Sequence, residues 1–282
     1  MNQPPQPDSS KTLIIHADDA GLSCAENEAT IRALEYGLVN SYSIMMPCPW
    51  AFHMAHFAKH HPQYDGGVHL TLTSEWKYYK FKPILPAQEV PSLVDQNGHL
   101  HVTRAAFKSN ARLDEVSKEL RAQIELALDW GMNPTHLDSH MYTLKLSAEL
   151  LDVYRALGQE FNLPILLSKP LLGEGIAQEI RKTDWWVDQL YVGEYRWFEG
   201  AGGLGAYYDQ ALENMSAGLN ILLIHPAFNN AEMQSICVDH PNFGSAWRQM
   251  DFDYFTSSKC AEKLKKNNIR LTTWKEVWKG LK

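Results

Sequence analysis

The sequence predicts an α/β fold, specifically a distorted or incomplete (β/α) barrel with mostly parallel strands. Short apolar segments of strand character alternate along the chain with segments of helical periodicity, and roughly six or seven such pairs fit in 282 residues. At 45% hydrophobic and 21% charged residues, the composition is ordinary for one large globular core. These observations favour a single barrel over two small domains.

The N-terminal segment, the net charge and the cysteines indicate which classes of protein this sequence does not fit. The polar, proline-rich start predicts a flexible tail at 1–10, followed by a single domain at 11–282 with an insertion at about 76–110. The tail lacks the basic start and apolar run of a signal peptide, and no later segment reaches membrane-spanning length. A formal net charge of −7 argues against nucleic-acid and anionic-membrane partners. Four scattered cysteines without a C-x-x-C pair indicate reduced thiols in a cytoplasmic protein.

The first element is an apolar run that ends on two adjacent acids, Asp18 and Asp19, as a buried parallel strand does at the rim of a barrel. A capping-box pattern that begins at Ser23 and a glycine stop at Gly37 predict a helix between them. The next predicted elements are a strand at 41–46, a helix at 49–60 and a strand at 67–73 that ends near Glu75.

Residues 76–110 interrupt this alternation. Three prolines, one glycine and several aromatic residues are mixed there without helical or strand periodicity. Because a long irregular insertion in a compact domain is usually functional or disordered, we expect a lid or substrate loop that borders the site.

Regular alternation resumes after the insertion. The clearest amphipathic helix is at 113–130, with a glycine stop at Gly131. An aromatic-rich stretch at 185–198 has no periodic pattern, and we interpret it as loop-like and packed on the core, with stacking against sugar rings as the alternative. The remaining predicted elements are a strand end at 134–140, helices at 146–160, 207–217 and 253–267, strands at 164–168, 220–225 and 269–272, and a closing helix.

The residues with catalytic chemistry fall at or near the C-terminal ends of the predicted strands, where barrel enzymes place their active sites. A catalytic divalent metal typically takes three ligands from Asp, Glu or His and keeps one position for water. Neighbouring acids in a strand diverge, so both can reach one site only if the chain bends, which Gly21 makes easier. The candidates are Asp18, Asp19, His69, Asp138, His140 and His225.

Two segments leave alternatives open. His136, Asp138 and His140 point the same way in an extended segment, so some of them must be outer partners that orient the ligands. His225 precedes Pro226 at the end of an apolar run, where it is either a general acid with a pKa near neutrality or a buried hydrogen-bonded histidine.

Four segments in the same order resemble the YdjC-like carbohydrate deacetylases, the chitooligosaccharide deacetylase family. They are His-Ala-Asp-Asp-Ala-Gly-Leu-Ser at 16–23, Gly-Val-His-Leu-Thr at 67–71, Pro-Thr-His-Leu-Asp-Ser-His at 134–140 and Ile-His-Pro at 224–226. The resemblance implies a distorted β/α barrel, one bound divalent metal and hydrolysis of an N-acetyl group from an amino sugar or a short N-acetylated oligosaccharide.

The resemblance also implies a role for each matched residue. Asp19, His69 and His140 take the metal-ligand positions, Asp18 that of the general base and His225 that of the general acid. We expect the remaining polar candidates to bind substrate or to orient the ligands; they are His136, Asp138 and Glu75.

Two departures and two rival functions remain. Ala20 stands where the family commonly has an aromatic residue, and Met141 follows His140 where further histidines are common, so the substrate can differ from chitobiose-type sugars. The rivals are another metal-dependent sugar-acting barrel enzyme, an isomerase or phosphoesterase, and a non-catalytic carbohydrate-binding protein. An Asp-His-His set suits Mg²⁺ as well as Zn²⁺, and the sequence leaves a homodimer open.

Overall fold

A computed structural model describes residues 10–168, 181, 184–200 and 202–281, so the predicted tail lies outside the described residues except for Ser10. The described part holds seven strands in one sheet, in the order β4-β3-β2-β1-β6-β5 with β7 beside β1, and every strand pair is parallel. The strands are β1 (Lys11–Ala20), β2 (Ser41–Ile44), β3 (Asp65–Leu70), β4 (Leu137–Ser139), β5 (Gln189–Val192), β6 (Gly218–Ile224) and β7 (Ile269–Leu271).

The sheet curls around β1, which pairs with β6 on one side and with β7 and then β2 on the other. Isolated parallel bridges join Leu137 to Ile165 and Ser168 to Val187, and so carry the hydrogen bonding from β4 toward the start of β5. The predicted strand at 164–168 therefore contributes bridges and not a regular strand. The predicted fold class, a distorted (β/α) barrel, is confirmed.

Helices separate consecutive strands, as the sequence predicts, but the stretches between β3 and β4, between β5 and β6 and between β6 and β7 each hold more than one helix. Ser23 caps the first helix by accepting a hydrogen bond from the Glu26 backbone N–H. Helices α1 to α6 are Cys24–Tyr36, Ala51–His60, Arg104–Asn110, Leu113–Asp129, Ala148–Glu160 and Tyr195–Glu199. Helices α7 to α11 are Gly203–Glu213, Ala231–Ile236, Ser245–Phe255, Ser258–Lys266 and Trp274–Leu281, and Pro91–Leu93 and His140–Lys145 are 3₁₀-helical.

Two predictions about the second half of the chain are wrong. The helix expected at 253–267 is two helices, α9 and α10, because the Ser257 side chain accepts a hydrogen bond from the Cys260 backbone N–H and starts a new helix there. The aromatic stretch at 185–198 is not a loop but contains β5 and α6. Strand β5 pairs only with β6 among the strands of the described sheet and is half-buried, so it lacks the apolar signature of the inner strands.

The insertion at 76–110 is packed against α4 and is largely irregular. Two buried carboxylates of that helix hold it: Glu119 accepts hydrogen bonds from the backbone N–H groups of Ile84 and Leu85, and Glu115 accepts from Ser92. Because the insertion begins directly after Glu75, this packing fixes one wall of the barrel mouth. Within the described residues, no helix is both long and apolar enough to span a membrane.

Candidate metal centre and active site

A cavity of about 340 Å³ opens at the C-terminal ends of β1, β3, β4 and β6. This is the end of the barrel at which the sequence analysis predicts the catalytic and metal-binding residues. Six of the eight predicted site residues line this cavity, and they are Asp18, Asp19, His69, Glu75, His140 and His225. Trp76 and Arg104, from the insertion, line it too.

Strand β1 bends at Asp19, and this bend brings both acids to the cavity. The backbone of Asp19 is left-handed, with φ of 66°, and the pairing with β2 shifts register between Ala17 and Ala20. A left-handed conformation at a residue other than glycine is strained and is typical of functional sites. The bend expected near Gly21 therefore begins two residues earlier, at the acid itself.

Three donor atoms from three strand ends converge in the cavity. Asp19 Oδ1 lies 3.4 Å from His69 Nε2 and 3.2 Å from His140 Nδ1, and the two ring nitrogens are 3.3 Å apart. Asp19 Oδ1 is buried and has no hydrogen-bond partner among the described residues. A buried carboxylate oxygen facing two imidazole nitrogens is the donor set of a divalent metal site, so the residues fit one.

The far nitrogen of each imidazole contacts a carboxylate. His69 Nδ1 lies 2.9 Å from Asp138 Oδ1, and His140 Nε2 lies 3.1 Å from Glu75 Oε2. Such contacts fix the ring orientation and tautomer of metal-binding histidines. Asp138 and Glu75 thus occupy positions from which they orient His69 and His140.

A buried guanidinium holds the other oxygen of Asp19. Arg248, from α9, donates from Nη2 to Asp19 Oδ2 at 2.8 Å and from Nη1 to Glu26 Oε2 at 2.8 Å. Arg248 and Glu26 are essentially inaccessible to solvent. Because Oδ2 is engaged by Arg248, Oδ1 is the oxygen that faces the imidazoles.

The second acid, Asp18, faces a different histidine. Its Oδ2 lies 3.7 Å from Nε2 of His225, at the end of β6. The backbone N–H of His225 donates to Asp251 Oδ2 at 2.9 Å, which fixes the start of the following loop. Asp18 and His225 therefore form a pair beside the metal donors, both lining one cavity.

Comparison with known proteins identifies the family to which this chain belongs. The YdjC-like protein family model matches residues 12–266. The chain belongs to the YdjC-like family. It is 30% identical over 277 residues to a carbohydrate deacetylase of Thermus thermophilus, covering 96% of this chain and 95% of that protein. It is also 27% identical over 272 residues to a chitooligosaccharide deacetylase of Yersinia enterocolitica, covering 94% and 99%.

A solved structure supports the same relationship. A crystal structure from Enterococcus faecalis, provisionally named a cellobiose-phosphate cleavage protein, matches with a TM-score of 0.78 and 28% sequence identity. The match covers 95% of this chain and 99% of that one. The family fold therefore spans nearly the whole of this YdjC-like protein.

The protonation of the donors in this YdjC-like protein follows from burial and charge. Burial lowers the pKa of His140, but Glu75 and Asp19 outweigh it and raise the pKa to about 9. Burial likewise opposes protonation of His69, yet Asp138 and Asp18 raise its pKa well above the usual value. A cation that takes these donors must displace protons, so we expect its binding to weaken as the pH falls.

His225 differs from its expected state. Burial, together with the nearby charge of Arg248, lowers its pKa to about 4, although Asp19 and Asp18 act in the opposite direction. This pKa is lower than the near-neutral value that the general-acid alternative assumes, and it favours a neutral imidazole.

Two predicted site residues, Asp138 and His136, do not line the cavity. Asp138 lies behind His69 and contacts its Nδ1, whereas His136 lies apart from the candidate donors. His136 is fully buried, stacks on Trp274 with ring centroids 4.6 Å apart, and contacts Thr135 Oγ1 through Nδ1 at 2.8 Å. It does not line the cavity, because it precedes β4 and so lies one layer deeper in the barrel. The structure gives it no contact with the three metal donors.

Of the two departures from the family pattern, only one reaches the site. Ala20 is fully buried and does not line the cavity, whereas Met141 is partly exposed and does. Met141 and Tyr142 both have left-handed backbone conformations directly after His140. Met141 is therefore the departure that changes the lining of the cavity.

Two functional contacts were missed from the sequence. Arg248 is 229 residues from Asp19 in the chain and lies in the part of α9 that precedes the helix predicted at 253–267, so no local pattern reveals the ion pair. His16 was visible within the first motif, two residues before Asp18. Its partners, however, come from other strands, and only the fold brings them to it.

Proposed function

We propose that this protein is a metal-dependent hydrolase that removes the N-acetyl group from an amino sugar or a short N-acetylated oligosaccharide. The main support is that one cavity holds two sets of side chains. Asp19, His69 and His140 form a candidate metal-donor set, and Asp18 and His225 form an acid-base pair. The names of relatives that align over nearly the whole chain, carbohydrate deacetylase and chitooligosaccharide deacetylase, support the same activity.

Asp19, His69 and His140 would hold one divalent cation, Mg²⁺ or Zn²⁺. Such a cation, when bound, supplies a Lewis acid that polarises the acetyl carbonyl and lowers the pKa of water. The ion pair with Arg248 keeps Asp19 ionised, because the guanidinium holds the pKa of that carboxyl well below its usual value against the opposing effect of burial.

The acid-base pair moves one proton. Asp18 accepts it from the attacking water as the new C–O bond forms, and passes it to His225 Nε2, 3.7 Å from Asp18 Oδ2, through one water or after a small approach of the two side chains. His225 then protonates the amine nitrogen as the C–N bond breaks, which releases acetate and the free amino sugar. A neutral resting imidazole suits this route, because His225 receives its proton within each turnover.

The cavity has a shape and lining suited to a sugar. Its volume of about 340 Å³ is at the small end of the range for ligand pockets, which fits one or two sugar rings better than a long chain. Trp76, Tyr142 and Phe243 present aromatic surface to it, on which sugar rings pack. We infer a small carbohydrate as the substrate.

We also infer that the protein acts in the cytoplasm. All four cysteines are free thiols in the structure, and three of them are buried. Unpaired cysteines are typical of reducing compartments. Size-exclusion chromatography with light scattering would determine whether the protein is a homodimer.

The test is acetate release from N-acetylated mono-, di- and trisaccharides. We expect release by the purified protein, loss of release after treatment with a chelator, and recovery when Mg²⁺ or Zn²⁺ is added back. Elemental analysis of the untreated protein identifies the metal. A fully metal-loaded protein that binds these sugars without releasing acetate would instead indicate a binding protein, and isomerised or dephosphorylated products would favour the rival enzymes.

A further inference from the structure

His16 lies directly behind the cavity, in contact with side chains from three strands. Its Nδ1 is 2.7 Å from Ser41 Oγ, and its Nε2 is 2.9 Å from Asp138 Oδ2 and 3.1 Å from both Asp18 Oδ1 and Ser43 Oγ. The ring is essentially inaccessible to solvent. Residues 16 and 18 share one face of β1, which is why the imidazole and the acid meet.

The two carboxylates that His16 contacts need a positive charge between them. Both Asp18 and Asp138 are buried, and one carboxylate oxygen of each lies within 4.8 Å of the other. Two negative charges this close repel strongly away from water. Asp138 also accepts hydrogen bonds from Ser43 Oγ and contacts His69 Nδ1, whereas Asp18 Oδ1 has no well-directed hydrogen-bond partner among the described residues. The imidazole of His16, 3.1 Å away, is therefore the group placed to hold Asp18 Oδ1.

We propose that His16 is a buried imidazolium that positions Asp18 by joining it to Asp138. This inference rests on the proposed function, because it assigns the means by which the proton acceptor of that reaction is held. With Oδ1 of Asp18 held by His16, Oδ2 is left directed toward His225. His16 itself does not line the cavity, so it is a positioning residue and not a catalytic one.

The chain Asp18–His16–Asp138–His69 has a second consequence. Asp138 orients His69, so one imidazolium fixes both the proton acceptor and one metal donor in a single network.

The pKa of His16 agrees with this geometry. Burial alone would lower it, but the hydrogen bonds and charges of Asp138 and Asp18 outweigh burial and raise it to about 9. His136 provides a matched contrast. It is an equally buried imidazole with its ring centroid 5.0 Å from that of His16, but burial and the charge of His16 lower its pKa well below the usual value.

The test compares His16→Gln with His136→Gln. Glutamine keeps a neutral hydrogen-bond donor of similar length but carries no charge. For His16→Gln at saturating metal we expect kcat to fall about 10- to 100-fold, the usual range for partners that orient active-site groups, with KM unchanged within about twofold. For His136→Gln we expect kcat within about threefold of wild type, since its ring contacts neither acid-base residue.

A second measurement does not depend on activity. In ¹⁵N-histidine-labelled protein loaded with Zn²⁺ or Mg²⁺, we expect both ring nitrogens of His16 to be protonated at pH 7.5, with its signals identified by their absence in His16→Gln. A neutral imidazole at that pH, or a His16→Gln protein with the kcat of wild type, would overturn the inference. Failure of the proposed function is distinct, because the wild-type protein would then release no acetate, and the nitrogen signals would still decide the state of His16.

Discussion

The two halves of the chain build the candidate site in different ways. The first half, 10–145, supplies every candidate metal donor from the ends of three strands, β1, β3 and β4, together with the carboxylates that orient them. The second half, 146–281, supplies His225 from the end of β6 and the buried guanidinium of Arg248 from α9. The candidate metal donors thus come from the first half. The cation that pairs with Asp19 and the histidine that faces Asp18 come from the second half.

The difference shows which functions depend on local geometry and which on packing. A donor at a strand end is placed by the strand itself, so a few residues of sequence determine it. Arg248 is placed by the way α9 packs over the barrel, and its buried charge is stable only because Asp19 and Glu26 both accept from it. Substitutions at the candidate donors of the first half should therefore reduce the metal content. Substitutions at Arg248 and His225 in the second half should instead reduce the stability and the rate of proton transfer.

The largest effect is expected at the donors of the first half. His69→Ala and His140→Ala should each lose the metal, and the rate of acetate release should fall about 10³-fold or more, because a metal contributes several kcal/mol to such a reaction. Elemental analysis and the acetate assay measure both. His136→Gln is the control for replacing a buried histidine and should keep the metal. Full metal occupancy in both alanine variants would remove the two histidines from the donor set.

The next effect separates the two acids of β1. Asp18→Asn retains the size of the side chain but cannot accept a proton, so it should keep the metal while the rate falls about 10²- to 10⁴-fold. Asp19→Asn should instead weaken metal binding, since its Oδ1 faces both imidazoles. Metal titrations of both variants, with rates at saturating metal, test the assignment. Metal loss in Asp18→Asn together with retention in Asp19→Asn would reverse the two roles.

Sequence reasoning succeeded where the signal is local. The apolar run of β1 and the amphipathic periodicity of α4 predict these elements, and the two adjacent acids require a bend of the chain, which the left-handed backbone of Asp19 provides. It failed where burial is decided by distant contacts. Strand β5 has no inner-strand signature, and α9 presents Arg248, a residue type that is usually exposed, to the interior. The charge of a buried residue is explained by its partners, and these are not adjacent in sequence.

The third prediction tests the contribution of the second half to stability. Arg248→Met leaves Asp19 and Glu26 buried without their cation, so the free energy of unfolding should fall by about 3–5 kcal/mol, as measured by chemical denaturation. Adding Glu26→Gln to Arg248→Met should recover part of the loss. Arg121→Met is the matched control, because Arg121 makes a bidentate pair with Glu160 at the surface, where the loss should be about 1 kcal/mol or less. Equal losses at the two arginines would contradict the role given to burial.

The fourth prediction concerns the proton on His225. Because burial keeps its pKa near 4, the imidazole is neutral above that pH and does not change charge between about pH 5 and 8. An imidazole of ordinary pKa that had to be protonated in advance would lose activity about tenfold per pH unit above about 6.5. We therefore expect kcat not to fall between pH 6.5 and 8. A decline of tenfold per unit in that range, absent from His225→Gln, would show that His225 enters the reaction already protonated.

The smallest effect is expected in the insertion, which belongs to the first half but contributes no metal donor. The side chain of Arg104 is exposed and lines both the cavity and the groove that adjoins it along Thr103, Lys108 and Met141. At this position it can donate hydrogen bonds to the part of the sugar that lies outside the reacting centre. Such a contact stabilises substrate and transition state equally, so its removal raises KM and leaves kcat unchanged.

Arg104→Ala should therefore raise KM for an N-acetylated disaccharide about threefold to tenfold, which corresponds to roughly 1 kcal/mol for one exposed hydrogen bond. The effect should be smaller for a monosaccharide, since a single ring seated at the donors does not extend to the mouth of the cavity. Lys82→Ala is the control, because Lys82 is an exposed cation in the same insertion that does not line the cavity. A fall in kcat with unchanged KM in Arg104→Ala would mean that the insertion acts on the chemical step, and the division between donors at strand ends and substrate contacts in the insertion would then be wrong.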